Sequence, residues 1–241
     1  MIQGEFEVEV IRAHLRDVPD LSRFEAVLAD DERARASGYK IKETRRMFTL
    51  ARGLLRLELA KRLTKDPADI HFDVRPSGKP DIRATPGAPT DWRFSVSHTG
   101  PHATLAFCRG ADVGIDIERT DRDVKPLEIA KRYFTEAELK ELETYSAQMR
   151  PRAFLAGWTR KEAVVKARGS TMAESLQTLS VGLDPNEAHP IAKDLKTAPP
   201  RTPCGLTTFE FAAIQLIGAV AICAETTPVL RFEVLSGTRF D

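Results

Sequence analysis

The chain has 241 residues, with 36 Lys and Arg against 35 Asp and Glu, 42% hydrophobic and 29% charged residues. A formal charge of +1 argues against a global nucleic-acid binder, and no run of about 18 apolar residues exists to span a bilayer. The N-terminal MIQGEFEVEVIRAH carries charges where a signal peptide has its apolar stretch, and the three cysteines, Cys108, Cys204 and Cys223, have no CxxC spacing. Neither a disulfide framework nor a zinc site is expected, and the expected compartment is the reducing cytoplasm.

Residues 5–11 alternate Phe6, Val8 and Val10 with Glu5, Glu7 and Glu9, which predicts a strand half-buried on one face. From Asp30 the pattern turns helical: a short helix with an acidic start and basic end closes at Gly38, and Thr44 is the expected cap of a longer one running to about Leu63. Met47, Leu50, Ala51, Leu54, Leu57 and Leu59 supply its buried side, with Arg45, Arg52 and Arg56 as a stripe elsewhere. Between Arg33 and Arg62 stand ten Lys and Arg (33, 35, 40, 42, 45, 46, 52, 56, 61 and 62) against two acids (43 and 58), a local basic patch that suits either a solvated face or contact with a polyanion. Residues 76–91 and 184–205 read as Pro/Gly loops inserted within folded halves. Strands are predicted at 92–97, 103–107 and 113–118, helices at about 126–133, 135–147 and 151–168, and strands near 207–212, 218–223 and 229–234. This interspersion without a βαβ rhythm favours an α+β fold.

Three stretches carry chemistry. In Gly114-Ile115-Asp116-Ile117-Glu118, period two sets Val113, Ile115 and Ile117 on one face and both acids on the other. Carboxylates about 6.5–7 Å apart along a strand repel, which fits either a solvated polar side or a hard cation such as Mg²⁺ between them. In the helix from Trp158, positions 158, 162 and 166 share one stripe, so Glu162 and Lys166 form either a surface pair or a third carboxylate with a cation for a phosphate. Phe94-Ser95-Val96-Ser97-His98-Thr99-Gly100 ends a strand in small donors suited to a phosphate. A serine hydrolase is disfavoured, since Ser97 and His98 point to opposite faces in an extended chain and no G-x-S-x-G occurs. Gly100 and Pro101 preclude the helix that would align His98 and His102 on zinc. The Gly78-Lys79-Pro80 turn adds one cation on a fixed loop.

Taken in order, GKP (78–80), FSVSHTG (94–100), GIDIE (114–118), FTEAE (134–138) and WTRKEAVVKARG (158–169) resemble the Sfp-type 4′-phosphopantetheinyl transferase family. The resemblance implies two similar α/β subdomains related by a pseudo-twofold axis, here 1–112 with the basic helices and 113–241 with the GIDIE and WxxKExxxK motifs, and an active site in the cleft between them. It implies a cytoplasmic monomer that moves the phosphopantetheine arm of coenzyme A to a serine of an apo acyl or peptidyl carrier protein, a holo-[acyl-carrier-protein] synthase activity. Adenosine 3′,5′-bisphosphate is the expected by-product. Carried over by position, Asp116, Glu118 and Glu162 are the implied Mg²⁺ ligands. Arg35, Lys79, Ser97, His98, Asp116, Lys161 and Lys166 are the implied coenzyme A contacts. Glu162 and Lys166 are the implied catalytic pair, and Glu138 fills the acidic position of FTxxE. Ser95 stands where many relatives carry Asn. Two rivals keep the same residues in play: a metal-dependent phosphodiester or pyrophosphate hydrolase, and a catalytically silent module that binds coenzyme A or a carrier.

Overall fold

Alternation at the N-terminus produces a strand, β1 (Glu7–His14), but it is covered more fully than the pattern predicts: Val8 and Val10 are buried on one face, Ile11 and Ala13 on the other. A computed structural model describes residues 6–83, 90–171, 176–195, 203–224 and 226–235. Helices α1 (Ser22–Ala26), α2 (Asp30–Gly38) and α3 (Lys42–Leu63) follow, then a hairpin of β2 (Phe72–Val74) and β3 (Pro80–Ile82). The long α3 begins after Ile41 rather than at a Thr44 cap, and its Leu57 is only partly buried. Arg56 leaves the predicted stripe altogether. Its guanidinium is buried, paired with Glu32 at 2.6 Å and donating to the carbonyls of Pro67 and Ile70, so it ties α2 and the following turn to α3.

Strands β4 (Trp92–Thr99), β5 (His102–Arg109) and β6 (Val113–Arg119) lead to α4 (Pro126–Tyr133), α5 (Glu136–Thr144) and α6 (Arg150–Arg168). The chain continues through β7 (Leu179–Ser180), β8 (Lys193–Asp194), β9 (Gly205–Phe211), β10 (Leu216–Ile222) and β11 (Val229–Leu235). The short strands β3 and β8 fall inside stretches expected to be loops, of which 84–89 and 196–202 lie outside the described residues.

The strands form a sheet of order β11-β1-β5-β4, a second of order β6-β10-β9 and two small hairpins. The α+β architecture is the one expected. The division at 112/113 is not clean, however: β11, from the far end of the chain, runs parallel to β1 and pairs Leu230 with Val8, so it completes the first sheet.

Period two explains the layering. Odd positions of β6 and even positions of β10 (Val113, Ile115, Val220, Ile222) pack against Val8, Val10, Ala106 and Cys108 of the first sheet. The opposite residues of β10 (Ile217, Ala219, Ala221) pack under α6 with Phe154, Val164 and Ala167. On the far side of the first sheet, Phe24 of α1 and Leu50, Leu54 and Leu59 of α3 cover Leu105 and Phe107. Each sheet thus carries one long helix on its outer face, and the sheets meet at their edges β4 and β6. No helix among the described residues is long and apolar enough to cross a membrane.

Candidate active site

An edge strand must find partners for its backbone donors. β6 finds two of them in side chains. Ser95 Oγ accepts from Ile115 N at 3.1 Å and Ser97 Oγ from Ile117 N at 3.2 Å, so alternate hydroxyls of β4 substitute for a main-chain ladder. The Ser97 hydroxyl then donates to Asp116 Oδ1 at 2.8 Å, and Thr99 Oγ1 donates to Glu118 Oε2 at 3.1 Å. Ser97 thus both joins the two sheets and orients Asp116, while its period-two neighbours divide the work: Ser95 holds the backbone of β6 and Thr99 orients Glu118.

The acidic face of β6 is covered by α6, and Gly114 is what lets the helix come so near. A Cβ there would lie 1.9 Å from the Ala163 carbonyl oxygen and 2.4 Å from Ala167 N. At that separation the Glu162 and Lys166 stripe falls directly over Asp116: Lys166 Nζ lies 2.6 Å from Asp116 Oδ1 and 3.6 Å from Glu162 Oε2. Gly169, with a φ of +60°, ends the helix in the left-handed conformation that glycine adopts at least cost.

Three acids meet two cations here, Lys166 and, 2.6 Å from Glu118 Oε2, Arg122. Burial, then repulsion from Asp116 and Glu118, outweighs the pull of Lys166 and pushes the Glu162 carboxyl up to about 7. Burial disfavours the Lys166 ammonium, yet Asp116 and Glu162 reverse that and hold its pKa above the usual value. Asp116 Oδ2 is buried with no hydrogen-bond partner. Among the described residues no group of three or more His, Cys, Asp and Glu side chains is set as a metal-ligand group, and Lys166 lies between Asp116 and Glu162. Even so, the donor set is all oxygen and one buried oxygen is unpartnered. Those features fit a hard cation such as Mg²⁺.

Glu162 and Lys166 line a cavity of about 490 Å³ with Lys79, Ser95 and Ser170. Lys79 donates to the carbonyls of Val113 and Lys166, both at 2.8 Å, and burial pushes its pKa down to about 8. It fastens the GKP turn across the start of β6 and the end of α6. His98 is exposed and lines a larger cavity of about 1030 Å³ with Arg16, Tyr39, Arg46, Phe48 and Gly100. Arg35 lines a third of about 270 Å³ with Arg52, Arg56, His71 and Arg83. Phe48 is shared by the second and third cavities and Pro80 by the third and first, so the three adjoin. Three residues of the basic patch, Arg35, Arg52 and Arg56, line the third together with Asp31 and Glu32.

The structure thus brings Ser97, Asp116, Glu118, Glu162, Lys166 and Lys79 together, with His98 and Arg35 in adjoining cavities. Lys161 is the exception and corrects the expectation. One residue from Glu162 on a helix is a turn of about 100°, which carries its side chain into the core. Lys161 is fully buried, 2.5 Å from Glu138 Oε2 and from the Leu179 carbonyl, with its ammonium over the Phe134 ring at 5.1 Å. It does not reach the cavity. Glu138 in turn closes a capping box with Thr135 and accepts from Val181 N, so the FTEAE motif builds the wall behind α6. The seam hydroxyls Ser95 and Thr99 escaped the sequence reading as positioning groups, although their period-two spacing with Ser97 is a visible signal. Arg160, fully buried, escaped it with no comparable signal; it donates to the carbonyls of Gly182, Asp184 and Glu187.

Residues 112–208 match the 4′-phosphopantetheinyl transferase superfamily, and residues 18–109 match the description "4′-phosphopantetheinyl transferase, N-terminal". The 4′-phosphopantetheinyl transferase HetI of Nostoc sp. is 36% identical over 197 residues, covering 80% of this chain and 79% of that one. The 4′-phosphopantetheinyl transferase Sfp of Bacillus subtilis is 30% identical over 190 residues, covering 78% and 79%. A third curated relative, from Synechocystis sp., is 30% identical over 164 residues; the match covers 66% of this chain and spans 64% of the relative's length. The chain belongs to the 4′-phosphopantetheinyl transferase family.

Proposed function

We propose that this protein transfers the 4′-phosphopantetheine arm of coenzyme A to a serine hydroxyl of an apo acyl or peptidyl carrier protein, leaving holo-carrier and adenosine 3′,5′-bisphosphate. The observation that carries this reading is the position of Lys166. Its ammonium bridges Asp116 and Glu162 in a cavity roofed by the GKP turn, where a pyrophosphate meets both cation and acid. Family membership and the adjoining basic cavities at Arg35 and His98 support coenzyme A, whose 3′-phosphate and pyrophosphate need several separated cations.

Phosphoryl transfer asks a protein mainly for positioning and charge. Asp116, Glu118 and Glu162 would hold Mg²⁺, which when bound supplies neutralising charge to the pyrophosphate. Ser97 and Thr99 hold the two strand acids at fixed angles, and Lys79 holds the loop against α6. Glu162 takes the proton of the carrier serine as its oxygen forms the new bond to phosphorus. Lys166 meets the negative charge that develops as the bond to the adenosine bisphosphate oxygen breaks.

Intact mass of a panel of apo carriers, incubated with this protein, coenzyme A and Mg²⁺ with and without chelator, tests the proposal. A chelator-sensitive gain of one phosphopantetheinyl group on at least one carrier is expected. Adenosine bisphosphate released with no carrier modified would replace transfer by hydrolysis, and coenzyme A bound but intact would leave a silent binding module.

A further inference from the structure

Two of the three cysteines, 19 residues apart in the chain, are neighbours in space. Cys204 stands one residue before β9 and Cys223 one residue after β10. The antiparallel register that pairs Gly205 with Ile222 therefore places them opposite one another at the end of the ladder. Residues facing each other across antiparallel strands have Cα atoms about 4.5–5.5 Å apart, within the span that a disulfide bridges. The two sulfurs lie 3.6 Å apart and share a hydrogen bond. A disulfide of about 2.05 Å needs only side-chain rotation and a small approach from there.

The surroundings separate the roles of the two thiols. The hydrogen bond from Cys223, assisted by the Arg168 guanidinium, lowers the Cys204 thiol to about 7 against the opposing effect of burial. Arg168 is itself held by a two-point contact with Asp194, at 2.7 and 2.8 Å. Cys223 is the more exposed of the pair, and its own titration is pushed up, so it keeps its proton. A thiolate beside a protonated thiol is the arrangement of a reactive dithiol. Cys108 is the internal contrast: it is wholly buried on β5, and burial raises its thiol to about 11.

We propose that Cys204 and Cys223 form a peroxide-responsive modification site that closes reversibly to a disulfide at the end of the β9 and β10 ladder. The Cys204 thiolate attacks one oxygen of a hydroperoxide; the S–O bond forms, the O–O bond breaks, and the departing oxygen leaves with a proton as water or alcohol. The Cys223 sulfur then attacks the sulfenic sulfur. The S–S bond forms, the S–O bond breaks, and the Cys223 proton leaves with hydroxide as water. The two thiols lose two electrons and the peroxide gains two, and two equivalents of a small thiol return the pair to its starting state.

The test uses the full, reduced chain treated with one equivalent of hydrogen peroxide, then denatured, alkylated and mapped by mass. The expected product retains one alkylatable thiol, at Cys108, and carries a single cross-linked peptide joining Cys204 to Cys223 within one chain. Dithiothreitol restores three alkylatable thiols. Cys108→Ser leaves the cross-link intact, whereas Cys204→Ser and Cys223→Ser abolish it. Three free thiols after peroxide, a disulfide that involves Cys108 or a second chain, or sulfinic acid at Cys204 with Cys223 still free would each overturn the assignment. Because the decisive map is made on the unsubstituted protein, poor folding of a serine variant leaves the test standing.

Discussion

Lys161 and Glu162 are adjacent in the chain and belong to different parts of the molecule. Glu162 faces the cavity beside Lys166; Lys161 sits in the core with Glu138. Removing one partner of a buried pair leaves the other charge uncompensated, at a cost of about 3–5 kcal/mol. Lys161→Met is therefore expected to lower the denaturation midpoint sharply, and the Lys161→Met/Glu138→Gln double variant, which removes the uncompensated charge but keeps an acceptor for the buried backbone donors, to recover part of that loss in urea melts. Ser97→Ala tests the seam. It deprives Ile117 N and Asp116 Oδ1 of a partner, costing about 1–3 kcal/mol in stability, and the transfer rate should fall with it because Asp116 loses its orientation. A rate unchanged in a folded Ser97→Ala protein would remove the positioning role.

At the scale of elements, the approach of α6 to β6 depends on the missing side chain at Gly114. Gly114→Ala forces a methyl group into the Ala163 carbonyl, so the helix must retreat and carry Glu162 and Lys166 away from Asp116. Overpacking of this kind costs about 1–3 kcal/mol or more. Thermal unfolding should show that loss, and transfer should fall more steeply than stability, since the cluster itself is separated. Much of this arrangement is legible in the sequence. Alternation in GIDIE and the i, i+4 stripe in WTRKEAVVK each leave one face for each residue, and both faces meet as expected. What escapes depends on contacts that no local period encodes. β11 pairs with β1 from the opposite end of the chain, Arg56 turns inward because Glu32 and two carbonyls await it, and Cys204 meets Cys223 only through the register of β9 and β10. The expectation that Lys161 faces the phosphate failed for a related reason: motif position says which residues recur together, whereas the helical angle decides which way each one points.

At the scale of the whole molecule, the first sheet contains an acid-sensitive point. His102 of β5 is buried against His14 of β1, with ring centroids 4.6 Å apart, and Arg12, Arg119 and Asp121 are the other charged groups acting on it. Burial, then the neighbouring positive groups, pushes its pKa down to about 4. The unfolded chain binds a proton near the ordinary histidine value of about 6.5, before the folded chain does, so this contribution to stability is lost as pH falls from about 6.5 to about 4. His102→Asn is expected to flatten the stability profile over that window in denaturant titrations at stepped pH; an unaltered slope would place the acid sensitivity elsewhere.

The most direct test of the account is the single-turnover rate of phosphopantetheinyl transfer by Lys166→Ala, measured on a carrier that the unsubstituted protein modifies and with folding verified by circular dichroism. Among the described residues Lys166 is the one cation in contact with both Asp116 and Glu162, and loss of a preorganised charge of this kind costs about 10²-fold or more in rate. The account predicts a loss of at least that size with the fold retained. A rate within about twofold of the unsubstituted protein would contradict it, because the factor then falls far below what a group at the reacting phosphate supplies.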